Sequence, residues 1–489
     1  MAQDNQKHSF LDQWSDALAR RPWVVVGAVA LLLAIQITPQ FKMSPDGVSY
    51  MSMARSLALH GRMLRLSSPH LRYAPAYPVF ISPAFRLGSN SFLGVQALQL
   101  LYSLAWLAGI YAWFSRYAGN RALWVAALPL VSAAYWDLYR TASSEIVFSP
   151  ALIWTGVCLC NAMAGVSTSR RLAWLFAAVV LGSISCATRQ AGVMIAPGFC
   201  VAVFVLAVQK KIPWPRAIVL GLIFAGCIVI VSYGLIAFDH YGARQVKSHD
   251  IGYLNIFSQS LNHLPTQLAE GLRRQIGEIG RLLIPGLFKT HSREHQYFDA
   301  INFVYLAACV PVVIGWWRFV RSSADPLALM LPFYFALCVI YPYDSGTRFS
   351  VPLLPILFGC LWFFLEPFNV NRGTILFMLA AVHAGVAIGF WLSDAAQVRR
   401  RYQPWPEIER VAGVIPADAD VIAFRGLMDN DDRWMFLMWL TDKPIAPEKA
   451  GEPLSAEANC IVDRKTAAVF PGFSRVAIAG NYQVEQALK

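Results

Sequence analysis

Apolar residues in this chain come in long runs rather than in the short alternations of a soluble protein. Eleven segments approach the roughly 20 mostly apolar residues that a helix needs to cross a bilayer. They cover 22–39, 93–114, 122–138, 145–163, 172–187, 191–208, 217–237, 301–317, 325–342, 349–366 and 374–393. Three longer polar segments separate or follow them, at about 40–92, 238–300 and 394–489. The pattern predicts a polytopic α-helical membrane protein with about eleven transmembrane helices.

The first long segment carries its own helix signals. Ser44 is a natural N-cap, Pro45 suits the first helical position and Gly61 suits the stop. Between them Ser49, Ser52, Ser56 and His60 form a polar stripe, while Val48, Met51, Leu57, Ala58 and Leu59 supply apolar surface. That arrangement predicts an interfacial helix lying in the membrane plane. Arg72-Tyr73-Ala74-Pro75-Ala76-Tyr77-Pro78 then predicts a proline-broken turn, followed by an apolar segment over 79–87 that is too short to span.

In the last segment the apolar runs shorten to strand length, at 421–424 and 461–462, with a helix over 432–440 between them. A small α/β domain over 394–489 is expected to follow a membrane domain over 1–393.

Charge sets the orientation. Arg20, Arg21, Arg116, Arg121, Arg170, Arg171, Lys210, Lys211, Arg216, Arg318, Arg321 and Arg372 fall in alternate loops, which places the N-terminus in the cytoplasm. An odd number of spans puts the tail outside, and the first span lacks a signal-cleavage site, so it is retained. The predicted location is a bacterial inner membrane, with the tail periplasmic. Only 14% of residues are charged, well below the quarter usual in soluble domains, and mean hydropathy is +0.46. The net charge of +12 suits anionic lipid on the inner face and anionic ligands on the outer. The basic residues are scattered over loops, which excludes a nucleic-acid partner. Eight of the nine cysteines lie in apolar segments, and no disulfide framework or zinc set is visible.

Chemistry is concentrated at the outer ends of the spans. Asp46 follows the first span, Glu145 opens the fourth, Arg189 lies between the fifth and sixth, and Arg348 opens the tenth. Charged residues at span edges mark functional cavities. Acids together with arginines on one face suit a reaction with a phosphate leaving group. The arginines neutralise the phosphate, and a carboxylate serves as general base. Asp46 and Glu145 are therefore the catalytic candidates, and Arg189 and Arg348 the phosphate-binding ones. Tyr50, Arg72, Tyr77, Tyr343 and Asp344 are candidate substrate contacts.

At these residues the chain resembles the GT-C class of membrane glycosyltransferases. The likeness is to the bacterial branch related to protein O-mannosyltransferases and aminoarabinose–lipid A transferases. It rests on Asp46-x3-Tyr50-x3-Ala54 with Gly61, and on Tyr73-x-Pro75-x-Tyr77-Pro78. It rests also on Ser144-Glu145, on Arg189, and on Arg348-Phe349-x2-Pro352-x2-Pro355. The resemblance covers roughly residues 20–366. It implies a catalytic acid at Asp46, a polyprenyl-phosphate sugar donor, and inverting transfer to a lipid, glycan or protein acceptor outside the membrane. The chain departs from the pattern at Asp46-Gly47, where many members have two adjacent acids. No cofactor or metal is expected, because the acids are far apart in sequence and no His or Cys joins them.

Other motifs are set aside. His291-Ser292-Arg293-Glu294-His295 fits a zinc-protease pattern without a protease fold around it. Asp418-Ala419-Asp420 precedes a strand and reads as a turn, and the acids at 429–432 lack a calcium loop's glycine. The rival readings are a multi-span transporter or lipid flippase, and a ligase joining a glycan to lipid A. A transporter favours charged groups near the midplane rather than on one face.

Overall fold

The computed structural model describes residues 9–38, 44–65, 68–69, 74–86, 92–164, 167–245, 264–285, 300–341, 346–368 and 370–402. From 405 onward it describes chiefly the helices and strands of the tail. The chain begins with α1 (Phe10–Ala19), α2 (Pro22–Ala34), α3 (Pro45–His60), α4 (Ala76–Ile81) and α5 (Pro83–Arg86). It continues with α6 (Phe92–Ala118), α7 (Ala122–Leu130), α8 (Ala133–Tyr139), α9 (Glu145–Met163) and α10 (Thr168–Thr188). Later helices cover Ile195–Val208, Trp214–Gln245, Leu264–Leu283, Ala300–Ser322, Pro326–Ile340, Leu354–Phe364 and Arg372–Tyr402.

Among the described residues, eight helical segments are long and apolar enough to cross a membrane. The chain is a multi-pass membrane protein. Side chains such as Leu222, Ile230, Phe176 and Val313 are exposed on these helices, as lipid-facing residues are.

Three of the eleven predicted segments take other forms. The segment at 22–39 is the 13-residue α2, set at 87° to α1. The one at 122–138 is broken into α7 and α8, and it returns along α6: Gln99 Nε2 donates to the Thr141 carbonyl at 2.7 Å. The one at 325–342 is the 15-residue helix Pro326–Ile340. Asp325 caps that helix by accepting from Leu327 N at 2.9 Å and Ala328 N at 3.0 Å. Trp113 Nε1 and Tyr117 Oη of α6 donate to its other oxygen, each at 2.8 Å. A carboxylate that is 2% exposed is thereby satisfied and ties two distant helices together.

The helix predicted over 45–60 forms with the predicted ends. Ser44 Oγ accepts from Gly47 N at 3.0 Å, and Gly61 stops the helix at φ 65°. Its surroundings differ from the expectation of a helix with one face in water. Ser49, Ser52 and Ser56 are buried along with Val48, Met51, Met53 and Ala54. Burial is tolerable because the hydroxyls find partners: Ser56 Oγ donates to the Arg62 carbonyl at 2.8 Å, and Ser49 Oγ accepts from Arg65 Nε at 3.0 Å. Arg65 belongs to β1 (Leu64–Arg65), which pairs antiparallel with β2 (Ser68–Pro69).

The tail holds five strands: β3 (Ile422–Arg425), β4 (Ile445–Glu448), β5 (Cys460–Arg464), β6 (Phe473–Ala479) and β7 (Tyr482–Ala487). They pair in the order β4-β3-β5-β7-β6, with the first three parallel and the last two antiparallel to their neighbours. The helix Arg433–Thr441 connects β3 to β4. Asp418 lies in a turn, as expected, and accepts from Gln486 Nε2 at 2.7 Å. Trp439 of the connecting helix packs against Phe85, at a ring separation of 5.9 Å, and against Phe92, at 5.6 Å. The Arg55 guanidinium of α3 lies 4.1 Å from the Trp439 ring, and Arg55 Nη2 donates to the Trp439 carbonyl at 3.2 Å. The helix α3, with Asp46 in its first turn, is thus covered by α4 and α5 and by the tail.

Candidate active site

Four chain breaks at helix ends bring four charged residues together. Asp46 is in the first turn of α3. Glu145 is the first residue of α9, behind Ser143 and Ser144. Arg189 leaves α10 in an extended conformation, with φ −152° and ψ 131°, so its side chain turns away from the helix axis. Arg348 sits in the 3-10 turn Gly346–Phe349.

Arg348 is the bridge. Its Nη1 donates to Asp46 Oδ2 at 2.7 Å, and its Nε donates to Glu145 Oε1 at 2.5 Å. Arg189 Nη1 donates to the same Glu145 oxygen and lies 3.4 Å from Ser144 Oγ. Glu145 Oε2 accepts from Ser143 Oγ, and from Ser144 Oγ at 3.4 Å. The Arg189 guanidinium lies 4.2 Å from the Phe349 ring centre, a cation–π contact. Tyr334 Oη donates to the Phe349 carbonyl at 3.0 Å, fixing the turn that holds both groups.

Side-chain exposure rises along this chain of contacts. It is 1% at Glu145, 12% at Arg189, 25% at Arg348 and 40% at Asp46. The inner carboxylate is saturated by donors and closed to solvent, whereas the outer one is accessible. A lone carboxylate buried like Glu145 would be too costly to keep ionised, and two guanidiniums offset that cost. Two acids and two arginines leave the cluster with no net formal charge.

Tyr50 and Tyr77 line the base of the cluster. Their rings meet edge to face at 5.0 Å, and Tyr77 Oη accepts from Gln99 Nε2 at 3.3 Å. Tyr50 shares a hydrogen bond with Ser144, and burial pushes its hydroxyl pKa above the ordinary value, against the pull of Arg348. A Cβ at Gly47 would lie 2.8 Å from Ser44 Oγ, so a second acid there would have to displace the hydroxyl that caps α3.

The structure therefore unites Asp46, Glu145, Arg189 and Arg348, with Tyr50 and Tyr77 beside them. Arg72, Tyr343 and Asp344 lie outside the described residues, as do His291–His295, Asp420 and 429–432. Phe349 was quoted in the motif that follows Arg348 but given no role, and Ser143, Tyr334 and Gln99 were not singled out from the sequence. Ser143 lies two residues before a named acid and could have been; Tyr334 and Gln99 have no sequence signal that separates them from ordinary core residues. Among the described residues no group of three or more His, Cys, Asp or Glu is placed to hold a metal ion.

No family model matches the chain, and no curated protein does. Solved structures do. ArnT from Cupriavidus metallidurans, an aminoarabinose–lipid A transferase, superimposes in its undecaprenyl-phosphate-bound form with a TM-score of 0.55. That match has 12% identity and covers 95% of this chain and 97% of that one. Its apo form gives a TM-score of 0.56 over 96% and 98% of the two chains. The chain has the GT-C fold. The Archaeoglobus fulgidus oligosaccharyltransferase, solved with zinc and sulfate, also matches, with a TM-score of 0.52 at 11% identity. That match covers 86% of this chain and 62% of the larger protein.

Proposed function

We propose that this protein is an inverting glycosyltransferase. It moves a sugar from a polyprenyl-phosphate donor to a lipid, glycan or protein acceptor on the outer face of the membrane. The observation that carries this reading is Arg348, one guanidinium shared between an accessible carboxylate and a buried one.

Asp46 is the base. It takes the proton of the acceptor hydroxyl as that oxygen attacks the anomeric carbon. The bond from the anomeric carbon to the phosphate oxygen breaks, and its electron pair leaves on the phosphate. Arg348 and Arg189 hold that developing charge, a preorganised electrostatic contribution that is usually the largest in such reactions. Glu145 touches no substrate in this mechanism. It is saturated by Arg189, Arg348 and two serines, and it holds the arginines in place. The tail over 394–489 is a separate domain that positions α3 rather than performing chemistry. The N-terminus is cytoplasmic, and the site faces the periplasm of a bacterial inner membrane.

The test is sugar transfer by the purified protein in lipid, supplied with a defined polyprenyl-phosphate sugar and candidate acceptors. Release of polyprenyl phosphate together with a glycosylated product is expected. Movement of intact lipid across the bilayer without bond cleavage would overturn the reading in favour of a transporter. Asp46→Asn should lower the rate on the order of 10²–10⁴-fold. Unchanged activity at normal abundance would remove Asp46 as the base.

A further inference from the structure

Arg348 is also held from behind, by a helix that takes no part in the charged cluster. Leu264–Leu283 lies against Pro326–Ile340, and Gly271 makes the close approach possible, since a Cβ there would collide with the Val339 carbonyl. That contact fixes the next turn. Arg274 Nη2 donates to the Cys338 carbonyl at 3.3 Å and also to the Tyr341 carbonyl. These carbonyls end the helix Pro326–Ile340, where the last four lack helical partners and attract a cation. One residue further on, Gln275 Oε1 accepts from Ser350 Oγ at 3.3 Å. Gln275 is 3% exposed and Ser350 1%.

Two consecutive residues of one helix therefore grip the chain on both sides of Arg348, at Tyr341 before it and at Ser350 after it. The Tyr341 and Phe349 rings, 5.1 Å apart, close the same frame. An arginine side chain has four rotatable bonds and could reach two carboxylates from many backbone positions. The grip selects one of them.

We propose that Arg274 and Gln275 are positioning residues for Arg348, setting its guanidinium where the donor phosphate arrives. This rests on the reading of Arg348 as a phosphate holder. Neither residue touches substrate; both act through the backbone that carries Arg348.

The experiment is a double-mutant cycle on the full-length protein in lipid nanodiscs, with undecaprenyl phosphate as the probe. Affinity is measured directly, and donor KM and kcat are measured alongside. Arg274→Met should weaken undecaprenyl phosphate binding on the order of tenfold in the wild-type background. Added to Arg348→Met it should cost less than about twofold, because the residue it positions is already gone. Gln275→Leu should behave in the same way, and Arg274→Lys, which keeps one carbonyl bond, should recover part of the loss. Donor KM should rise more than kcat falls.

An equal loss in both backgrounds, or a fall in thermal midpoint with affinity unchanged, would overturn the grip and leave ordinary helix packing. A full affinity retained in Arg348→Met would overturn the phosphate reading itself, and the grip with it. The two failures are therefore distinguishable.

Discussion

Arg348 Nη1 and Asp46 Oδ2 are 2.7 Å apart, which is too close for a sugar ring to lie between them. In the proposed inverting displacement the base and the leaving phosphate lie on opposite faces of the anomeric carbon. That reaction requires the pair to open when donor binds. The arriving phosphate would compete with Asp46 for Arg348 and free the carboxylate for the acceptor. Donor should bind before acceptor, and undecaprenyl phosphate alone should increase carbodiimide labelling of Asp46. Initial-rate patterns showing random order, together with unchanged labelling, would refute this.

The two acids should differ sharply on substitution. Glu145 is 1% exposed and balances two guanidiniums, so Glu145→Gln leaves buried charge uncompensated. A loss of about 3–5 kcal/mol in stability is expected, along with activity. Asp46→Asn should lose activity and keep its thermal midpoint, because that carboxylate is 40% exposed. Melting curves of the two purified variants decide the point, and equal midpoints would argue against an organising role for Glu145.

The Tyr50 hydroxyl contributes only as a neutral group. Burial raises its pKa above the usual value near 10, so the proton stays on throughout the working range. Because the folded-state value is raised, deprotonation is disfavoured further and no titration falls below that range. The ratio of wild-type to Tyr50→Phe activity should therefore be flat between about pH 6 and about pH 9. A break in that ratio within this window would show that Tyr50 exchanges a proton during turnover.

Charge neutralisation by arginine predicts tolerance of chelators. Gly47 stands beside Asp46 where a second acid would have to displace the Ser44 hydroxyl from its cap. Transfer should proceed at an undiminished rate in EDTA. Loss of activity that magnesium or manganese restores would make Asp46 a metal ligand instead.

Much of this site was legible in the sequence because its parts are local. The cap at Ser44 and the stop at Gly61 define α3 from composition alone, and they place Asp46 in its first turn. Arg189 and Arg348 stand out in sequence because they lie in the alternate set of loops, away from most basic residues. The burial of the α3 serines was not legible, since it depends on Arg62, on Arg65 and on residues far along the chain. Nor was the hold of Arg274 and Gln275, whose partners are two backbone carbonyls and a serine. Such partners carry no sequence signal until the fold brings them close. The break in the predicted span 122–138 was partly legible, because proline at 129 marks a weak point; the 87° bend between α1 and α2 falls at the Arg20–Arg21 pair, just before the predicted span.

The contact between Arg55 and the Trp439 carbonyl joins positions 384 residues apart in sequence. The helix bearing Asp46 therefore leaves the ribosome well before the helix Arg433–Thr441, which covers part of it. Closing so long a loop is a late, non-local event in folding. A nascent chain therefore carries Asp46 on an unfinished support until the helix Arg433–Thr441 has docked. Chains cut short before residue 433 would lack the Trp439 ring and carbonyl that Arg55 meets, so α3 would keep only the cover that α4 and α5 provide.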